Sequence, residues 1–169
     1  MLELRPYQHQ AVDDLRACYA KGHKAPLFVL PTGGGKTHVF THIVTRATQG
    51  GRRTLVVAHR KELIRQTSAK LDLAGVAHGI IAPWAPMTDH TIQVASIQTL
   101  ARRQCREFDF LIIDEAHHSI CSQYRKIIES QPNAKLLGVT ATPARLDGKG
   151  LGREERWTPS VGPLRMGFY

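Results

Sequence analysis

Residues Leu30 to Thr37, LPTGGGKT, set three glycines, a lysine and a hydroxyl in a pattern suited to holding a phosphate. Glycines 33 to 35 let the backbone curl until its N–H groups face inward. With the start of a following helix, those groups form an anion cradle. Lys36 would reach the β- and γ-phosphates of a nucleoside triphosphate, and the Thr37 hydroxyl would ligate Mg2+. Leu30 stands where the strict pattern has glycine. Taken alone, the same residues would also suit a glycine turn followed by a surface lysine.

Asp114 to His117, DEAH, directly follow the apolar run FDFLII. An acid at the end of a buried strand is costly unless it has a partner, and Mg2+ would supply one. Asp114 would hold that metal through water, since Mg2+ keeps several of its waters. Glu115 would orient or deprotonate the attacking water. Solvated acids at an ordinary strand end are the alternative. The presence of LPTGGGKT after an earlier strand argues against it.

Positioning these residues requires strands that end where they begin. Apolar runs at Leu27–Leu30, Thr54–Ala58, Thr91–Ala95, Phe108–Ile113 and Lys135–Thr140 read as buried strands. Between and before them, the spacing predicts helices over about Pro6–Lys21, Lys36–Gln49, Arg60–Leu73, Ser96–Arg103 and Ser122–Glu129. Strands alternating with helices give an α/β fold, a mostly parallel sheet with helices on both faces. Such sheets bind ligands at the carboxyl ends of their strands. From Gly148 onward glycine and proline crowd the chain and no apolar period survives. One domain over 1–152, with an irregular tail over 153–169, is the expectation.

Other residues stand at the same strand ends. RPYQ, Arg5 to Gln8, precedes the phosphate loop, and the Gln8 amide could pair with adenine. AHRKELIRQ, Ala58 to Gln66, follows the second strand. There Arg60 could bind a nucleic-acid phosphate, while Lys61 and Arg65 fall on a solvated helix face. VASIQTL, Val94 to Leu100, offers the Ser96 and Thr99 hydroxyls to a sugar-phosphate backbone. Ser96 could equally be a helix cap. TATP, Thr140 to Pro143, could link the two ligand regions, or could be a polar turn before proline.

In this order, RPYQ, LPTGGGKT, AHRKELIRQ, VASIQTL, DEAH and TATP resemble the first RecA-like domain of superfamily 2 helicases and translocases. Leu30 and His118 look like the branch holding restriction-enzyme motor subunits, such as the type III res subunit, and related DEAH-box proteins. The resemblance covers about Leu4 to Gly152. It implies an ATP hydrolase with Lys36, Asp114, Glu115 and His117 in the catalytic set. It implies ATP at Arg5, Gln8, Thr32, Gly33, Gly34, Gly35, Lys36 and Thr37, with Mg2+ on Thr37 and Asp114. Nucleic-acid contact is implied at Arg60, Ser96 and Thr99, and coupling at His117, Thr140 and Thr142. DNA is favoured over RNA. Family members complete the ATP site with an arginine from a second RecA-like domain, worth ~1,000-fold or more in rate in related hydrolases. The 169 residues end before such a domain. The alternative expectation is therefore an ATP- or nucleic-acid-binding fragment or subunit, without turnover until that domain is supplied, possibly in trans. A small-molecule kinase would need lid and substrate motifs, and none is present.

Composition is compatible with this. Lys and Arg number 23 against 14 Asp and Glu, a net charge of +9, which attracts polyanions. Glu3 and Arg5 fall where a signal peptide would be apolar, and no apolar run would span a membrane. A cytoplasmic chain with no membrane partner is expected. Cys18, Cys105 and Cys121 are odd in number and widely spaced, which is not a disulfide framework. His117, His118 and Cys121 lack a second pair at zinc-site spacing.

Overall fold

A computed structural model describes residues 3–29, 35–116, 122–141 and 158–161, and among these residues lie seven strands and five helices. Of Thr37 and of 158–161 only the backbone is described. The order is α1 (Pro6–Ala20), β1 (Pro26–Val29), α2 (Lys36–Gln49), β2 (Thr54–Ala58), α3 (Lys61–Leu73), β3 (Gly79–Ile81), β4 (Ile92–Ser96), α4 (Ile97–Leu100), β5 (Phe110–Asp114), α5 (Ser122–Ser130), β6 (Lys135–Thr140) and β7 (Thr158–Val161). The strands lie side by side as β3-β4-β2-β5-β6-β1-β7, and every pairing is parallel.

The two-residue period of a strand divides the core in two. Val56 and Ala58 of β2, with Phe110 and Ile112 of β5, face a layer containing Val12, Leu15, Phe40, Val44, Ile64 and Leu71 from α1, α2 and α3. Leu55 and Val57, with Leu111 and Ile113, face Ile97, Leu100, Tyr124, Ile127 and Ile128 from α4 and α5. Buried on both faces, β2 and β5 read as continuous apolar runs rather than alternating ones. The expected architecture of a parallel sheet with helices on both faces is the one observed.

Local chemistry sets the helix ends. Pro6 opens α1, where its missing N–H costs nothing. The Arg5 N–H donates to the Gln8 Oε1 at 2.9 Å, half of a reciprocal cap. The Tyr19 hydroxyl near the end of α1 donates to the Leu136 carbonyl at 2.5 Å and ties that helix to β6.

Several expectations need correction. β5 runs on to Asp114 and starts at Phe110. Asp114 therefore lies within the ladder, its Cα opposite Val139. α4 is a single turn, not a helix reaching Arg103. β3 was absent from the sequence reading, because three residues with two apolar side chains carry no measurable period. The tail was expected to be irregular, yet Thr158–Val161 pair with β1 as an outer strand. Pro159 has no N–H to give, and the register shifts at that point, opposite Pro26 and Leu27. Proline is tolerated in sheets at such edges and bulges. No helix among the described residues is long and apolar enough to cross a membrane.

Phe40 is 1% exposed and fastens α2 to the sheet. Phe40→Ala should lower unfolding free energy by about 3–5 kcal/mol in urea denaturation. A loss below about 1 kcal/mol would mean that α2 does not pack as described.

Candidate active site

Parallel strands deliver their carboxyl ends to one edge, and the order β5-β6-β1 places three of these ends together. Val29 ends β1 opposite Thr140 of β6, and Val139 lies opposite Asp114 of β5. The loop that starts after β1 returns as α2 at Lys36. Residues 79 positions apart then meet: the Lys36 Nζ donates to the Glu115 Oε1 at 3.1 Å. This ion pair is partly shielded, the side chains being 18% and 23% exposed.

Asp114 is buried, at 5% exposure. Burial pushes its carboxyl up from 3.8 to about 6. The Lys36 charge and the Glu115 N–H, which donates to the Asp114 Oδ1 at 2.9 Å, pull it back down, and the Glu115 charge pushes it up again. Glu115 itself has φ of 54°, in the left-handed region. For a residue with a Cβ this costs about 1–2 kcal/mol. The turn it forms sends consecutive carboxyl groups to different places, one inside the sheet edge and one toward Lys36.

The residues present suit a Mg2+-bound nucleotide. A desolvated carboxylate gains from a nearby cation, and Asp114 is such a group. α2 is 14 residues long, and the N–H groups of its first turn have no carbonyl within the helix. Gly35 immediately before it has φ of 79°, and a Cβ there would lie 2.6 Å from the Gln8 Nε2. Gly35 is favoured by its backbone conformation, and the end of the Gln8 side chain lies where a Cβ at this position would be. Gln8 is buried, with its amide oxygen accepting from Arg5 and its nitrogen against Gly35. It braces the start of α2 against α1, a role its sequence position did not reveal. Arg5 is exposed nearby. Thr140 is fully buried between the two site strands. Thr32, Gly33, Gly34, His117, Thr142 and the Thr37 side chain lie outside the described residues. So do His118 and Cys121, on which the metal question turned.

A second group of expected residues gathers at the ends of β2 and β4, which run in register to Ala58 and Ser96. Arg60 is exposed, and its Nε donates to the His59 Nε2 at 3.2 Å. Ser96 and Thr99 are buried, at 6% and 7% exposure. Ser96 does not cap α4 with its side chain. It donates to the Gln98 Oε1 at 2.7 Å, and the Gln98 Nε2 donates to the His59 carbonyl at 3.2 Å. Gln98 is exposed and bridges the two strand ends. Its type and position gave no reason to single it out. The Thr99 hydroxyl is buried without a hydrogen-bond partner among the described residues.

The family model for the type III restriction enzyme, res subunit, matches residues 1–145. The chain belongs to that family. It is 32% identical over 171 residues to IRC3 of Saccharomyces cerevisiae, by name a candidate ATP-dependent helicase, covering 88% of this chain and 24% of that protein. It is 33% identical over 168 residues to the DNA 3'-5' translocase XPB2 of Sulfurisphaera tokodaii, covering 96% and 35%. The fold matches the SWI2/SNF2 ATPase core of Sulfolobus solfataricus, solved with double-stranded DNA, with a TM-score of 0.71, 18% identity, and coverage of 84% and 32%. This res-subunit relative is accordingly a first RecA-like domain of the superfamily 2 helicase type. It spans about a quarter of the length of the first curated relatives it matches.

The Asp114 environment has a measurable consequence. Because the folded carboxyl titrates near 6 rather than 3.8, the folded chain holds more protons than the unfolded one between those values. Stability from this group is present in full below about pH 4 and is lost as pH rises through 6. Asp114→Asn keeps an oxygen for the Glu115 N–H and removes that loss. In the absence of Mg2+ and nucleotide, the variant should be more stable than the parent at pH 7.5, by at most roughly 3 kcal/mol. The gain should shrink toward pH 4. Equal gains at both pH values in denaturant titrations would refute the assignment of the effect to ionisation.

Proposed function

We propose that this domain binds and hydrolyses Mg2+-ATP to drive movement along nucleic acid, with DNA as the substrate. The observation that carries the reading is the Lys36–Glu115 pair beside buried Asp114. A lysine at the head of a helix and two adjacent acids at a strand end form a compact set for phosphoryl chemistry. Lys36, Gly33 to Gly35 and Thr32 would hold the phosphates. Arg5 and Gln8 would border the base. Thr37 and Asp114 would hold Mg2+, which supplies charge neutralisation at the phosphates when bound.

Glu115 then acts as the base. Its carboxylate accepts a proton from the water that attacks the γ-phosphorus, as the bond from phosphorus to the bridging oxygen breaks. The products are ADP and inorganic phosphate. Lys36 holds Glu115 at the loop through their ion pair. Binding of the γ-phosphate would draw the ammonium toward the nucleotide and release Glu115 for the water. His117 would join this set and, with Thr140 and Thr142, relay the nucleotide state to the Arg60, Ser96 and Thr99 edge. In this reading DEAH at 114–117 is a DEAH box and residues 1–152 are the body of the motor domain, to whose sheet the tail over 153–169 adds the outer strand β7.

Full turnover in this proposal needs a second RecA-like domain, in the same polypeptide or in trans, bringing an arginine to the γ-phosphate. The DNA preference draws on the DNA translocase relative and on the basic charge.

Steady-state Mg2+-ATPase activity with and without single-stranded DNA tests the proposal. Glu115→Gln should abolish turnover while ATP still binds, and Lys36→Ala should abolish ATP binding. Unchanged ATP binding by Lys36→Ala would overturn the phosphate-loop assignment. ATP binding without turnover in the parent chain, restored by an added second domain, would identify the non-hydrolysing subunit reading as correct.

A further inference from the structure

Arg60 is followed directly by Lys61, the first residue of α3, whose Nζ lies 4.8 Å from the centre of the Trp84 ring. Trp84 stands three residues beyond β3, in the turn where the Ala85 N–H donates to the Ala82 carbonyl. The ring is 43% exposed. β3 lies beside β4, and β4 beside β2, so Trp84, Arg60 and Gln98 all follow the carboxyl ends of neighbouring strands. All three are exposed. The edge thus carries a guanidinium, an ammonium, an amide and a large aromatic ring.

We propose that Trp84, with Lys61 over its ring, is a stacking platform for an unpaired base of a single-stranded nucleic acid whose phosphates run along Arg60. This rests on reading that edge as the nucleic-acid contact. Charge alone would hold the sugar-phosphate chain of any duplex or single strand. An exposed indole adds something only when a base face is available to it. In a duplex those faces are already stacked on one another, whereas in a single strand they are open. Stacking on an aromatic ring tolerates any base, as a motor advancing along arbitrary sequence requires. The Lys61 ammonium stabilises the ring from its own side through the ring quadrupole and adds positive charge beside the strand. Hydrogen bonds from Ser96 to Gln98, from Gln98 to the His59 carbonyl and from Arg60 to the His59 ring link Arg60 to the end of β4. The substrate class read from this patch is a single strand with accessible bases, in preference to an intact duplex.

The test is fluorescence-anisotropy titration of the 169-residue chain with labelled oligo-dT, an abasic strand of equal length and a duplex. The parent, Trp84→Ala, Trp84→Phe and Arg60→Ala are compared over a range of salt. Trp84→Ala should weaken oligo-dT binding about 5- to 150-fold, leave abasic-strand and duplex binding near the parent's, and leave the salt slope unchanged. Trp84→Phe should retain most of the affinity. In a Trp157→Phe background, Trp84 emission should be quenched by oligo-dT. Equal losses on oligo-dT, abasic strand and duplex would overturn the proposal and make Trp84 a structural residue. No loss from Trp84→Ala, with Arg60→Ala still weakening binding and lowering the salt slope by about one, would overturn stacking and leave the nucleic-acid edge intact. Failure of the parent to bind any of the three would remove the edge reading itself, and the proposal with it.

Discussion

A carboxylate at the end of a strand buried on both faces is costly to keep charged, and the Lys36 charge offsets part of that cost for Asp114. That electrostatic demand organises the edge of the sheet. It sets the start of α2 against the end of β5, although 79 residues separate Lys36 from Glu115. It also explains why two adjacent acids are needed. Glu115 pairs with the lysine directly, and Asp114 remains inside, held by one backbone N–H and by charge at a longer range. An uncharged pair would pack with less penalty. Retaining charges here is in keeping with the proposed binding of a polyphosphate and its counter-ion.

Backbone geometry carries part of the same burden. Two residues at the ion pair occupy the left-handed region, Gly35 immediately before Lys36 and Glu115, the acid of the pair itself. Glycine adopts it freely. Glutamate does so at a cost, offset by the Asp114 hydrogen bond and the pairing with Lys36. Gln8 completes the arrangement by filling the space that a side chain at 35 would need. The glutamine on the first helix, the last glycine of the loop and the acid pair therefore form one contiguous set around the start of α2.

How much of this was legible in the residues depended on what kind of signal each carried. LPTGGGKT and DEAH were readable because their types are unusual in those places, and the strands before them are long enough to show as apolar runs. Arg60 was readable for the same reason, at the end of TLVVA. Ser96 and Thr99 were identified by type, but only three-dimensional packing could show that their hydroxyls are buried and that exposed Gln98 stands in front. β3 and β7 are three and four residues long and depend on neighbours for their form. Trp84 could not be assigned to any surface until β3 was known, since nothing in APWAP says which edge of the sheet it joins.

The two proposed ligand regions share one edge but not one set of strands. The acid pair ends β5, and Arg60 follows β2, its immediate neighbour. Adjacent strands are about 4.8 Å apart, so the two regions are close. The sheet between them is nevertheless a poor spring. Val57 and Ile113 pair across it with both side chains fully or almost fully buried, and close-packed interiors resist gradual deformation. In the proposed function, a change at bound phosphates would therefore not reach the Arg60 edge by bending β2 against β5. It would travel through the loops that leave the strand ends, or by motion of this domain against the proposed second one. The close-packed sheet would then hold the acid pair and the Arg60–Trp84 edge at constant spacing.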